Sequence, residues 1–240
     1  GAASTTIKGL HYTGAGNVFG FLGGLDSSNS LMRCVTMAPN TELRGFTLLD
    51  GGTFSNNCPV ATASENKYGG GVYVKEESSA AKPSVFVRDC LIKNCGATHG
   101  GGGYRGVYER CRFQGTMAQQ GCGAATYDAA VMRNCIVDGV RAATSIDQPR
   151  LVVNCTIGKN NRNAGGNGPE GTGTIRARDD GTSQLVNVLF LGGKEGIPVD
   201  GCTNCVVPSA TYLKTSTAER PGLVVAEVEV DENYRPVAGS

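Results

Sequence analysis

The chain has 240 residues with Lys+Arg 22 against Asp+Glu 21, a net charge of +1, so it carries no one-signed field to draw it onto nucleic acid or an anionic membrane. Hydrophobic residues make up 40% but aromatics only 6%, with no Trp, which restricts the core to a narrow one of Val, Ile, Leu, Cys and Ala. Gly reaches 36 residues without a G-x-y period, which excludes collagen and points to many short strands joined by tight turns; no apolar run approaches the roughly 20 residues that span a bilayer.

In chain order, residues 1–42 read as the first coils of a solenoid. Their start, Gly1-Ala2-Ala3-Ser4-Thr5-Thr6, lacks the basic and apolar regions of a signal peptide, as an exported protein in mature form would. Regular coils are expected over 43–207. One phrase recurs there: an apolar residue, a turn-former, a Cys or other apolar residue, and a second apolar residue two places on. It appears at Leu43–Leu48, Val87–Ile92, Tyr108–Phe113, Met132–Val137, Val152–Ile157, Val186–Phe190 and Thr203–Val207. Aligned on the Cys position, the copies fall at 46, 90, 111, 135, 155, 188 and 205, with a modal step of about one coil per 20–24 residues. Between copies lie glycine-rich lead-ins to a second strand, at Gly69–Val74, Gly101–Tyr104, Gly121–Ala124 and Gly171–Ile175. The stretch Lys159–Glu170 reads as an inserted loop, with Arg162 and Glu170 as contact candidates. Residues 208–240 read as a capping segment, in which Val224–Asp231 alternates apolar and acidic like a strand with one solvated face.

Stacked in columns, the copies make physical sense. The position before the Cys holds Gly45, Asp89, Arg110, Asn134, Asn154, Asn187 and Asn204. Six of these types tolerate left-handed backbone, which a sharp corner requires, and stacked Asn side chains can hydrogen-bond from coil to coil; Arg110 breaks the rule. The next column, with Cys90, Cys111, Cys135 and Cys155, should point inward, where free Cys behaves as a small hydrophobe. Like columns at one-coil spacing place like strands parallel and in register, and such crossovers are right-handed. The fold class expected is therefore all-β, a right-handed parallel β-helix of about seven to nine coils in one domain, 1–240, of a larger exported protein.

Leu43-Arg44-Gly45-Phe46-Thr47-Leu48-Leu49-Asp50-Gly51 resembles the "L-x-G-F-T-I-x-x-G" phrase of bacterial right-handed β-helix repeat proteins of the pectin-lyase-like superfamily, many from gut Bacteroides-type bacteria. The lead-in Gly69–Val72, the strand Asn134–Val137 and the ending Asp231–Ser240 are similar to further phrases of those proteins. The resemblance covers roughly residues 29–207 plus the tail, and implies an extracellular or cell-surface setting. It leaves function open among polysaccharide lyases, glycoside hydrolases, adhesins and uncharacterised surface proteins.

The expected function is glycan or other surface-ligand binding. The ligand-contact candidates are Tyr73, Tyr104, Arg105, Arg141 and Arg176 on the glycine-led strands, which also carry Arg178, with Asp128 and Asp147 in the turns that follow. The alternative is a polysaccharide lyase on a uronate polymer, the one case in which Ca²⁺ would enter; otherwise no cofactor and no metal is expected. An architectural spacer is the third reading. Cys202-Thr203-Asn204-Cys205 has C-x-x-C spacing but no second pair to complete a zinc site. His99 reads as an exposed turn residue and Asp179-Asp180 as a turn. One disulfide among Cys34, Cys58, Cys95 and Cys122 is left open.

Overall fold

The computed structural model describes residues 5–9, 32–53, 67–75, 83–129, 131–142, 144–158, 175–178, 180–191, 202–208, 222–226, 228–235 and 237, with backbone alone at 119–122. Arg162, Glu170, Asp179 and Cys58 lie outside the described residues, as does the Cys122 side chain. Every named strand pairs in parallel with the like strand of a neighbouring coil. The fold is an all-β parallel β-helix.

Three long sheets and one short sheet form the walls. Sheet 1 contains Glu42–Arg44, Phe86–Arg88, Val107–Glu109, Val131–Arg133, Leu151–Val153, Gln184–Val186 and Cys202–Thr203. Sheet 2 follows it in each coil and runs from Thr6–Lys8 through Thr47–Leu49, Leu91–Lys93, Arg112–Gln114, Ile136–Asp138, Thr156–Ile157 and Leu189–Phe190 to Cys205–Val207 and Leu223–Val225. Sheet 3 holds Val35–Met37, Val72–Val74, Gly103–Tyr104, Thr126–Tyr127, Ile146–Asp147 and Ile175–Arg176. Sheet 4, between sheets 2 and 3, joins Gly52–Thr53, Gly96–His99 and Met117–Cys122, the last with a bulge between Ala118 and Cys122.

The corner from sheet 1 to sheet 2 is left-handed at every described coil. Gly45 has φ 77°, Asp89 54°, Arg110 53°, Asn134 54°, Asn154 51°, Asn187 53° and Asn204 52°. Arg110 adopts this geometry with both ends of its guanidinium on Asp89 of the preceding coil, at 2.6 and 3.1 Å. That bidentate pair replaces the local side-chain bonding by which Asn and Asp favour the corner. A second left-handed column, Asp50, Asn94, Gly115 and Gly139, closes sheet 2.

Strand alternation sends Leu48, Ile92, Phe113, Val137, Ile157, Phe190 and Val207 inward, each at most 1% exposed. Each such side chain contributes about 1.5–3 kcal/mol by leaving water. The cysteine column beside them is buried as well. Shared thiol contacts with Cys111 and Cys135, together with burial, hold Cys90 and Cys111 above the ordinary thiol range, and burial does the same to Cys135. Those groups are packing thiols. Opposite the large residues of sheet 2, sheet 3 turns a column of small ones inward: Cys34, Gly71, Gly102, Ala125 and Ser145. A Cβ on Gly102 would lie 2.6 Å from Phe113 Cδ1, and one on Gly71 2.9 Å from Ile92 Cγ2, so these glycines serve packing rather than turning.

The lead-in to Thr126–Tyr127 turns at Gly123 (φ 62°), which holds the place of Gly69 and Gly100 (φ 63° and 64°). One local expectation is corrected. Among the described residues of the tail, Leu223–Val225 alone is strand, extending sheet 2 beside Cys205–Val207, where the sequence pattern ran from Val224 to Asp231. Beyond it the chain reverses, where Asp231 Oδ1 accepts from the amides of Asn233 and Arg235 and the Val237 amide donates to the Glu229 carbonyl. Local turn bonding at Asp231 overrides the alternating pattern.

Candidate ligand-binding surface

Parallel in-register stacking copies a side chain's position from coil to coil. On the outer face of sheet 3 it aligns Thr36, Tyr73, Tyr104, Tyr127, Asp147 and Arg176. Tyr73 and Tyr104 stack with centroids 5.5 Å apart and planes 11° from parallel; Tyr104 and Tyr127 follow at 5.9 Å and 18°. Sheet 4 adds a second row. Tyr68 and His99 sit one before Gly69 and Gly100, pair with each other as a parallel bridge, and stack at 5.1 Å. Left-handed turns at the two glycines bring this row against the first, placing Tyr68 4.4 Å from Tyr104 and His99 5.2 Å from Tyr127. The outcome is a five-ring cluster spanning three coils.

Guanidinium groups border it. Arg33 lies over the Tyr73 ring at 4.4 Å and Arg105 over Tyr104 at 4.7 Å. Arg105, in the left-handed corner after sheet 3, donates to Asp128 at 3.2 Å, and Arg178 donates to the other Asp128 oxygen at 2.6 Å. Arg176 pairs with the fully buried Asp147 at 2.7 Å while about half of its own side chain (52%) stays in solvent. Tyr73 and Tyr104 are covered, at 7% and 8% exposure; Tyr68, Tyr127 and His99 form the half-exposed upper layer. Burial raises the Tyr104 hydroxyl to about 12. His99 is pushed below its usual value by burial, then by the positive charges of Lys67 and Arg176, so its ring is neutral at pH 7. Its Nδ1 is buried and has no hydrogen-bond partner among the described residues.

Four of the sequence candidates, Tyr73, Tyr104, Arg105 and Arg176, therefore share one face. Arg141 does not: it bridges to Met117 at the edge of sheet 4, a different wall of the coil, because the left-handed turn at Gly139 redirects the chain before it. His99, expected as an exposed turn residue, is half-buried in the ring cluster. Asp147 lies in a sheet 3 strand rather than a turn. Sequence reasoning missed Tyr68, Tyr127 and Arg33. The spacing Gly-x-x-x-Tyr, shared by Gly69–Tyr73, Gly100–Tyr104 and Gly123–Tyr127, was the signal for Tyr127.

A cavity of about 780 Å³ lies where the tail crosses the outer face of sheet 2, lined by Arg112, Asp138, Phe190, Glu229, Asp231 and Tyr234 among others. Tyr234 packs under Arg112 at 5.5 Å, and burial, with a hydrogen bond to Asp138, raises its hydroxyl to about 12. The tail builds this cleft from Glu229, Asp231 and Glu232 among Pro208, valines and Tyr234, and Arg112, the basic residue in the lining, pairs with Asp138 at 3.5 Å. It has neither a ring platform nor a poised base. Among the described residues no group of three or more His, Cys, Asp or Glu is placed to hold a metal ion. Near Cys205, a hydrogen bond from Cys202 lowers the thiol to about 7, and among the described residues no second ligand pair lies beside the two cysteines.

Comparison of the chain with protein-family models, with curated proteins and with solved structures found no match.

Proposed function

We propose that this chain is a glycan-binding β-helix domain of an exported or cell-surface protein, and that the ligand lies along the outer face of sheet 3. The observation that carries this reading is the ring cluster of Tyr68, Tyr104, Tyr127, Tyr73 and His99, bordered by Arg33, Arg105 and Arg176. The C–H face of a pyranose packs on the negative face of a tyrosine ring, while guanidinium N–H groups at its rim donate to sugar hydroxyls. The rigid sheets hold both sets of groups in place before the ligand arrives, which lowers the ordering cost of binding. The exported setting rests on the resemblance of Leu43–Gly51 to bacterial β-helix repeat proteins.

The test is a glycan array followed by calorimetric titration of the full chain with the best neutral and uronate-containing oligosaccharides. Binding that is lost in Tyr127→Ala and Tyr68→Ala supports the proposal; no ligand at millimolar concentration overturns it.

A second reading, a lyase on a uronate polymer, draws on one observation: His99 has a ring nitrogen, the buried Nδ1, with no hydrogen-bond partner among the described residues, and is close enough to Arg176 to feel its charge. It is the weaker reading because Arg105, Arg176 and Arg178 are committed to Asp128 and Asp147, which reduces the positive charge left for a uronate. Absence of ultraviolet-absorbing unsaturated product from pectate, alginate and glycosaminoglycans, with and without Ca²⁺, eliminates it.

A further inference from the structure

The buried cysteines are of two kinds. Cys90, Cys111, Cys135, Cys155 and Cys205 take one position in their coils, so their side chains run side by side along a single wall. Cys34 and Cys95 come from different positions. Cys34 precedes Val35–Met37 and occupies the inward place that Gly71 and Gly102 take in later coils of sheet 3. Cys95 precedes Gly96–His99, in the place that Gly51 holds one coil earlier.

Their sulfurs meet over the same short stretch of backbone. Cys34 Sγ lies 3.5 Å from the Leu49 carbonyl oxygen, and Cys95 Sγ lies 3.7 Å from that of Leu48 and 3.4 Å from the Gly51 amide nitrogen. Two glycines vacate the space. A Cβ on Gly51 would lie 2.7 Å from Cys34 Sγ, and one on Gly71 would lie 3.3 Å from Cys95 Sγ. Each thiol shifts the other's ionisation, Cys34 downward and Cys95 upward, as near neighbours do. Side chains that converge from two walls satisfy a requirement for bridging that parallel neighbours in the ladder meet poorly.

We propose that Cys34 and Cys95 form a disulfide site that, when oxidised, clamps the coil containing Val35–Met37 to the next one. Cys34 is the half-buried member, and the thiol hydrogen bond from Cys95 holds it below its usual pKa, which favours its thiolate as the attacking group. With a small disulfide such as oxidised glutathione, the Cys34 thiolate attacks one sulfur and displaces the first glutathione thiolate. A mixed disulfide is left on Cys34. Cys95 then gives up its proton and attacks the Cys34 sulfur, displacing the second glutathione. Two protein thiols lose two electrons, one glutathione disulfide gains them, and the two protein-derived protons end on two glutathione thiols. The bond closes a loop from residue 34 to residue 95, which restricts the unfolded chain. This inference is independent of the ligand reading.

The test incubates the full chain with oxidised glutathione, blocks remaining thiols by alkylation, and maps the peptides by mass spectrometry. A Cys34–Cys95 linked peptide is expected, with two of the ten cysteines lost to alkylation and a higher melting temperature than in the reduced protein. Cys34→Ser and Cys95→Ser each remove the link and the thermal gain. Ten alkylated cysteines, a stable glutathione adduct on Cys34, or a link confined to Cys202–Cys205 or other positions overturns the proposal; the wild-type peptide map decides this even where a variant folds poorly.

Discussion

Asn154 sits at the corner between sheets 1 and 2 with φ 51°, and its side-chain oxygen accepts a hydrogen bond from Asn187 Nδ2 at 3.0 Å across one coil. Replacing it with Ala keeps a Cβ but removes the short polar side chain that makes left-handed backbone tolerable, a loss of ~1 kcal/mol. The exposed coil-to-coil hydrogen bond contributes ~0.5 kcal/mol more. Asn154→Gly loses the same bond but has no steric objection to the corner, so its cost is about 0.5 kcal/mol. For a chain of this length 1 kcal/mol corresponds to roughly 2–4 °C, so Ala should lower the melting temperature by about 3–6 °C and Gly by about 1–2 °C. Thermal unfolding followed by circular dichroism resolves the difference. If Asn154→Ala melts no lower than Asn154→Gly, left-handed geometry is not what selects asparagine at this corner, and the account of the winding is wrong.

The remaining expectations concern the core, the surface and pH. Phe113→Ala removes a fully buried ring that packs edge-on to Tyr108 and faces Gly102, and should cost about 3–5 kcal/mol in denaturant unfolding. Tyr127→Ala should weaken binding of the best array glycan about tenfold or more by calorimetry, as loss of an aromatic anchor worth over 1 kcal/mol does. Arg141→Ala, on another wall, should leave that affinity unchanged; an equal loss would argue against a ligand confined to sheet 3. His99 has a lowered pKa in the folded state, so the unfolded chain binds the extra proton first. The stability tied to the neutral ring is intact above the ordinary value of 6.5 and declines as pH falls through and below it towards the depressed folded value. An NMR titration should place the His99 midpoint below 6.5, and His99→Gln should flatten the loss of stability on acidification. A midpoint at or above 6.5 refutes this.

The winding was legible in the sequence because a parallel solenoid gives each position the same surroundings once per coil. The inward pair at Cys90 and Ile92, and the corner at Asp89, recur as Cys135 and Val137 beyond Asn134 for that reason. Strand alternation and left-handed tolerance are local properties of the chain, so they can be read without knowing which coil lies above which. The glycine-led strands carried Tyr73 and Tyr104 in the same way, and the Gly-x-x-x-Tyr spacing they share with Tyr127 belongs to the same class of signal.

What only the tertiary structure decided are contacts between different columns. Tyr68 and His99 meet Tyr104 and Tyr127 because two left-handed glycine turns set sheet 4 against sheet 3, an angle that no residue spacing encodes. Arg110 occupies a corner that its residue type disfavours because Asp89, 21 residues earlier, becomes its neighbour after one turn of the coil. Arg141 shared the residue type of Arg105 and Arg176 but not their wall, since the turn at Gly139 had already changed the direction of the chain. Cys34 and Cys95 likewise meet across the hollow. Their approach depends on side chains missing at Gly51 and Gly71, and the space those glycines leave exists only once the coils are stacked.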